Sequence, residues 1–186
     1  LPYVRGSRVL ELAHGPGHML LALARAGYSV TGLDLSPQMG RMARRRLARS
    51  GGDAALVRGR GEALPFASNS FDTVYSSFPT PFILAGETLH SVWQVLAPGG
   101  RLVLVPRAHL TGKGAASRFV NWLYWITGQR QPAPGREASP AGAWVERVER
   151  QGFRLEVGTV ALPGSEVLVI IAHKDAGAGQ ASCPLP

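Results

Sequence analysis

The chain has 186 residues, 45% of them hydrophobic, one cysteine (Cys183) and a formal net charge of +8. That length suits one domain with a full core, the lone cysteine excludes an intrachain disulfide or a cysteine-rich metal site, and no apolar run approaches the roughly 20 residues that span a bilayer. Of the 20 basic residues 18 are arginines scattered over most of the chain, a skew that reads as compositional bias more than as a nucleic-acid surface. No signal-peptide pattern opens the sequence, and a start at Leu1 in place of methionine suggests a trimmed or partial chain; a cytoplasmic location is the default expectation.

Apolar runs alternate with helical periodicity, the pattern of an α/β domain with a mainly parallel sheet covered on both faces. Strands are expected at Arg8–Ala13, Ser29–Leu33, Ala55–Arg58, Thr73–Ser76, Arg101–Pro106, Arg154–Thr159 and Val167–His173. Helices are expected at Gly17–Ala26, Pro37–Ser50, Gly86–Leu96 and Pro140–Gln151. Gly27 and Gly51 supply C-terminal stops, and Ser36 with Pro37 reads as an N-cap followed by proline at the first helical position. Pro98, Gly99 and Gly100 break the third helix from the strand that follows. In the second helix the arginine run Arg41–Arg49 reads as a solvated face in preference to an RNA-binding stripe, with Met42 and Leu47 available to the core and no aromatic interleaved for base stacking.

The most informative segment is VLELAHGPGHML, Val9 to Leu20: an apolar strand carrying Glu11, a turn with Gly15 and Gly17, and a helix start. The two glycines permit positive φ and close approach of a ligand to the main chain, where the helix start offers free N–H groups. Asp34, at the end of the second strand, is placed to accept from ribose hydroxyls. A dinucleotide fingerprint would need a third glycine where Leu20 stands, and a diphosphate would be repelled by Glu11. S-adenosylmethionine, with a sulfonium, an α-amino group and a ribose, meets both conditions.

With ELAHGPGHML, VTGLDLSPQM, GEALPFASNSFDTVYSS and VLAPGGRLVLV in this order over roughly the first three-fifths of its length, the chain resembles the class I S-adenosylmethionine-dependent methyltransferases. The resemblance is to their small-molecule, ubiquinone/menaquinone methyltransferase-like branch. It implies a Rossmann-like, doubly wound sheet of seven strands whose last strand is antiparallel, returning at Leu162, Pro163 and Gly164. It also implies that Glu11 orients the methionine end, that the backbone from Ala13 through His14 and Gly15 to Gly17 cradles it, and that Asp34 takes the ribose with Leu35 beside the adenine. Arg60, Gly61, Glu62 and Ala63 would edge the adenine ring, and the Ser76 carbonyl, after the fourth strand, would face the amino group. Two residues depart from the pattern. Ala13 stands for the usual first glycine, and Arg60 for a common aspartate, so a hydrogen-bond acceptor is lost there unless Glu62 replaces it.

The expected organisation is a methyltransferase domain over 1–174, an insert at 107–139 and a disordered tail at 175–186. Relatives carry a helical cover before the first strand, where this chain has only Leu1 to Ser7; the insert is the alternative cover. Within it Phe119, Trp122, Tyr124 and Trp125 either line an apolar substrate pocket, pack as added core, or, with Lys113 and Arg118, rest at a membrane surface. His109 is the candidate base, while His14 more naturally serves the cofactor turn; no residues have metal-ligand spacing. The expected function is methyl transfer to an oxygen, nitrogen or carbon of a small apolar or aromatic acceptor. The alternatives are a cofactor-binding protein without turnover, suggested by Ala13 and Arg60, and an RNA methyltransferase, suggested by the charge.

Overall fold

The computed structural model describes residues 1–77, 81–110, 140–162 and 165–177. In chain order they form β1 (Arg8–Leu12), α1 (His18–Arg25), β2 (Ser29–Asp34), α2 (Pro37–Ser50), β3 (Ala55–Arg58), β4 (Phe71–Ser77), a 3-10 turn (Pro81–Leu84), α3 (Gly86–Val95), β5 (Leu96–Leu110), α4 (Pro140–Glu149), β6 (Arg154–Leu162) and β7 (Ser165–His173). The seven strands make one sheet in the order β3-β2-β1-β4-β5-β7-β6. Pairing is parallel from β3 through β5, while β7 runs antiparallel to both β5 and β6. The order reverses between β1 and β4, and open α/β sheets form their ligand crevice beyond the carboxyl ends of the strands at such a point.

Alternation along β1 sends Leu10 and Leu12 into the core on one face of the sheet and Val9 into the core on the other. Glu11 therefore shares a face with Val9, beneath α1, and pairs in register with Tyr75 of β4. Helix α1 buries Leu20 and Leu23, and α2 buries Ala43 and Leu47, four residues apart on one stripe. Met42 was expected on the core side but is 42% exposed, because the stripe through Leu47 falls on Ala43. Ser36 caps α2 as expected, its Oγ accepting from the Met39 N–H at 3.3 Å, with Gly51 in the left-handed conformation at the other end.

The Pro98-Gly99-Gly100 break differs from the expectation. Leu96 already pairs with Phe71, and the register then shifts before Thr73 pairs with Arg101, so the proline and glycines form an irregularity inside β5. β5 also continues to Leu110 beside β7, which places His109 inside a strand opposite Glu166 instead of beyond one. Residues 111–139, with Phe119, Trp122, Tyr124 and Trp125, lie outside the described residues, as do 163–164 and the tail after 177. Among the described residues no helix is long and apolar enough to cross a membrane.

One buried cation ties the far end of this sheet together. Lys174 is 8% exposed, and its Nζ donates to the carbonyls of Trp93 (2.8 Å) and Leu96 (2.6 Å) and to Asn69 Oδ1 (3.3 Å). It thus satisfies carbonyls at the C-terminal end of α3, with its ammonium 5.3 Å from the centre of the Trp93 ring. Lys174→Met keeps the stem and strands these acceptors. The expected cost is about 2–4 kcal/mol, read from urea unfolding; a change under about 0.5 kcal/mol contradicts this role.

Candidate functional site

Two cavities open on the crevice side of β1 and β2, and Ala13 lines both. The larger, about 490 Å³, is walled by Glu11, His14, Gly15, Pro16, His18, Met19, Ala22, Tyr75, Ser77 and Val105. The smaller, about 340 Å³, is walled by Leu33, Asp34, Leu35, Gly59, Arg60, Gly61, Glu62 and Phe82. Of the residues expected around a cofactor, Glu11, His14 and Gly15 thus meet in one chamber, and Asp34, Leu35, Arg60, Gly61 and Glu62 in the other.

Glu11 is 2% exposed, and its Oε2 has no hydrogen-bond partner among the described residues. Burial pushes its carboxyl up to about 8, against a smaller opposing pull from the Leu20 N–H in the first turn of α1. The neighbouring Tyr75 phenol is pushed up to about 12, first by burial and then by the Glu11 charge. A buried carboxyl with an unused oxygen, on a residue that lines a cavity, suits a cationic group, which would repay the cost of ionising it.

The turn after β1 is held by backbone and side-chain bonds on three sides. Ala13 N–H donates to the Leu33 carbonyl at 2.8 Å, and Arg46, reaching back from α2, donates through Nε to the Pro16 carbonyl at 2.9 Å. Asp34 Oδ2 accepts from the Gly15 N–H at 2.9 Å and Oδ1 from the Ser36 N–H at 2.8 Å. Each carboxylate oxygen keeps a lone pair for a second donor, so this anchoring leaves acceptor capacity toward the smaller cavity. His14 is buried, and its Nδ1 donates to the Gly15 carbonyl at 2.7 Å; in the neutral ring this leaves Nε2 as an acceptor.

Gly15 and Gly17 divide their work. A methyl group on Gly15 (φ 53°) would meet nothing within 4 Å, whereas one on Gly17 (φ 80°) would lie 2.8 Å from the Ala43 Cβ. Gly15 therefore leaves space in the cavity, while Gly17, the N-cap of α1, lets α2 pack against the turn. Ala13 is itself left-handed at φ 54°, a conformation that costs a non-glycine residue roughly 1–2 kcal/mol. Ala13→Gly should therefore raise stability by about 0.5–1 kcal/mol after the added unfolded-state entropy is counted, measured by thermal unfolding; a destabilised variant refutes the strain.

Ser76 is placed otherwise than Tyr75 and Ser77. It sits within β4, buried, and its Oγ donates to the Leu12 carbonyl at 3.0 Å; the alternate residues Tyr75 and Ser77 line the cavity. Sequence reasoning passed over Tyr75, Ser77, His18, Arg46 and Phe82. The first two carry a signal, period-two alternation beside Glu11, but it becomes legible only once β1 and β4 are known to be neighbours. Phe82 carried none: its ring packs where a Gly61 side chain would be, 2.7 Å from the Cβ position, across a gap of 21 residues in sequence.

A doubly wound sheet with an antiparallel seventh strand and an acid-floored crevice at the switch point defines the class I Rossmann-like methyltransferase architecture. Residues 9–100 match the family described as Methyltransferase domain, which supports a class I S-adenosylmethionine-dependent methyltransferase. It is 35% identical over 140 residues to an uncharacterized protein of Mycobacterium tuberculosis, covering 75% of this chain and 47% of that one. It is 37% identical over 107 residues to the ubiquinone/menaquinone biosynthesis C-methyltransferase UbiE of Yersinia enterocolitica, covering 54% of this chain and 43% of that one. The chain thus spans under half the length of these curated relatives. Among solved structures, a SAM-dependent methyltransferase from Methanosarcina mazei superposes with a TM-score of 0.64 at 23% identity, covering 94% of this chain and 95% of that one. The cofactor of that family is S-adenosylmethionine, and the residues present fit it: an acid with an unused oxygen on the wall of one chamber, and an acceptor-bearing aspartate on the wall of the other.

Proposed function

We propose that this chain is the catalytic domain of a methyltransferase that uses S-adenosylmethionine to methylate an oxygen, nitrogen or carbon of a small apolar or aromatic acceptor. The observation that carries the reading is Glu11, a buried acid with an unpartnered oxygen, on the wall of a cavity that shares Ala13 with a second, ribose-compatible cavity. When bound, the cofactor supplies a methyl group on a sulfonium, reactive enough that positioning is the main demand on the protein. Glu11, His14 and the Gly15 backbone would hold the amino-acid end; Asp34 would accept from the ribose, with Leu35 and Phe82 against the base. The larger cavity, with Tyr75, Ser77 and Val105 on its walls, has room beside the amino-acid end for an acceptor. A base is needed only for a protonated nucleophile, and His109, toward the carboxyl end of β5, is our candidate for it. Phe119, Trp122 and Trp125 are proposed as the acceptor's apolar lining.

Calorimetric titration with S-adenosylmethionine and S-adenosylhomocysteine tests the binding half, and methyl transfer to a panel of phenols, amines and quinols tests the chemistry. Absence of binding at millimolar cofactor removes the proposal. A second reading, binding without turnover, is favoured by two observations: the left-handed Ala13 between the cavities, and Arg60, which brings donors but no acceptor to the smaller one. Under that reading, Ala13→Gly combined with Arg60→Asp raises cofactor affinity about tenfold or more; unchanged affinity sets it aside.

A further inference from the structure

A groove of about 310 Å³ is lined by Met42, Arg45, Arg46, Arg49 and Ser50, separate from both cofactor-side cavities. Helix α2 carries Arg41, Arg44, Arg45, Arg46 and Arg49 and no acidic residue. Like charges at i,i+3 and i,i+4, such as Arg46 with Arg49 and Arg45 with Arg49, each cost a few tenths of a kcal/mol, and here nothing on the helix offsets them. Among the described residues none of the three groove arginines forms an ion pair. Nor are they occupied with capping the helix: Arg25 of α1 donates through Nη2 to the Ser50 carbonyl at 3.4 Å. The carbonyl end of α2 contributes about half a negative charge, which three guanidinium groups outweigh.

One of the three connects the groove to the crevice. Arg46 is half-buried and spends its Nε on the Pro16 carbonyl at 2.9 Å, and Pro16 walls the larger cavity. Among the described residues its other guanidinium nitrogens have no acceptor and can donate to a ligand.

We propose that this groove is a binding site for a compact phosphate-bearing anion, a small-molecule diphosphate or a similar group, and that Arg46 couples its occupancy to the cofactor turn. A guanidinium grips phosphate oxygens bidentately through parallel hydrogen bonds, and three of them line this one groove. The site is local and has no aromatic side chain in its lining, which favours a compact anion over single-stranded RNA, whose bases would need a stacking platform.

The test is calorimetric titration of the whole chain with inorganic pyrophosphate, in parallel with an Arg45→Gln/Arg49→Gln variant that leaves Arg46 and the cofactor turn intact. Pyrophosphate should bind the variant at least tenfold more weakly, with the two proteins melting within a few degrees of each other. Saturating pyrophosphate should also change S-adenosylhomocysteine affinity severalfold in the unaltered protein and not in the variant. Equal pyrophosphate binding by both proteins, or equal heats from sulfate at matched ionic strength, overturns the site. Binding of an RNA oligonucleotide that is lost in the variant, with no pyrophosphate binding, overturns it in favour of a polyanion surface. Unchanged S-adenosylhomocysteine affinity overturns the coupling. The pyrophosphate titration reads the groove alone, so its failure is distinct from failure of the methyltransferase reading.

Discussion

Glu11→Gln will make the protein less dependent on pH and less able to bind its cofactor. Burial holds the folded-state carboxyl at about 8 against an ordinary value of 4.5, so between those values the folded chain keeps a proton that the unfolded chain has released. The contribution to stability is complete below about pH 4.5 and falls as pH rises toward 8, by about 1.4 kcal/mol per pH unit. Glutamine keeps the shape and does not titrate. The stability difference should therefore move in the variant's favour by up to about 4 kcal/mol between pH 5 and pH 8, measured by urea unfolding across that range. Parallel stability curves for the two proteins would contradict a buried, protonated Glu11.

The same group should answer to a cation. A unit charge about 4 Å away in an effective dielectric near 20 contributes about 4 kcal/mol, and ionising the carboxyl at pH 7 costs about 1.4 kcal/mol. The remainder, roughly 2.6 kcal/mol, predicts an affinity loss on the order of a hundredfold in Glu11→Gln. Cofactor binding at pH 7 should release close to one proton, seen as a dependence of the binding heat on the buffer's ionisation enthalpy. No buffer dependence would mean that Glu11 does not face the charged end of the ligand.

The second large effect separates the two turn glycines. Gly17→Ala places a methyl 2.8 Å from the Ala43 Cβ and 3.0 Å from the Ala43 Cα, and one contact is backbone, so α2 must move. With left-handed strain added, the cost should be about 2–4 kcal/mol, a melting-temperature loss of roughly 5–15 °C. Gly15→Ala meets no neighbour and carries only the strain, about 1 kcal/mol, yet puts its methyl where a ligand would approach. It should lose at least tenfold in S-adenosylhomocysteine affinity while melting well above Gly17→Ala. Equal melting of the two variants would refute the division of roles.

The sequence exposed much of the scaffold because local rules suffice for it. Seven apolar runs spaced by amphipathic helices, Ser36 with Pro37 at a helix start and Gly51 at its end are each decided within a few residues of chain. Met42 shows where such reading gives out: a one-residue error in the stripe turns a side chain from core to solvent, and only the packing of Ala43 against Gly17 fixes the phase. The irregularity at Pro98 to Gly100 and the extension of β5 to Leu110 were equally hidden, because strand length depends on what pairs alongside.

By itself the amino-acid order determined the α/β class, the acid-bearing glycine turn and the aspartate that follows the second strand, because these are short-range patterns of residue type and spacing. Only the tertiary structure decided that Glu11 shares a face with Tyr75, that Phe82 walls the cavity over Gly61, and that Arg46 braces Pro16. Those contacts join segments 21 to 64 residues apart. Which side chains meet across such gaps is set by strand order and helix packing, and these are properties of the whole folded chain.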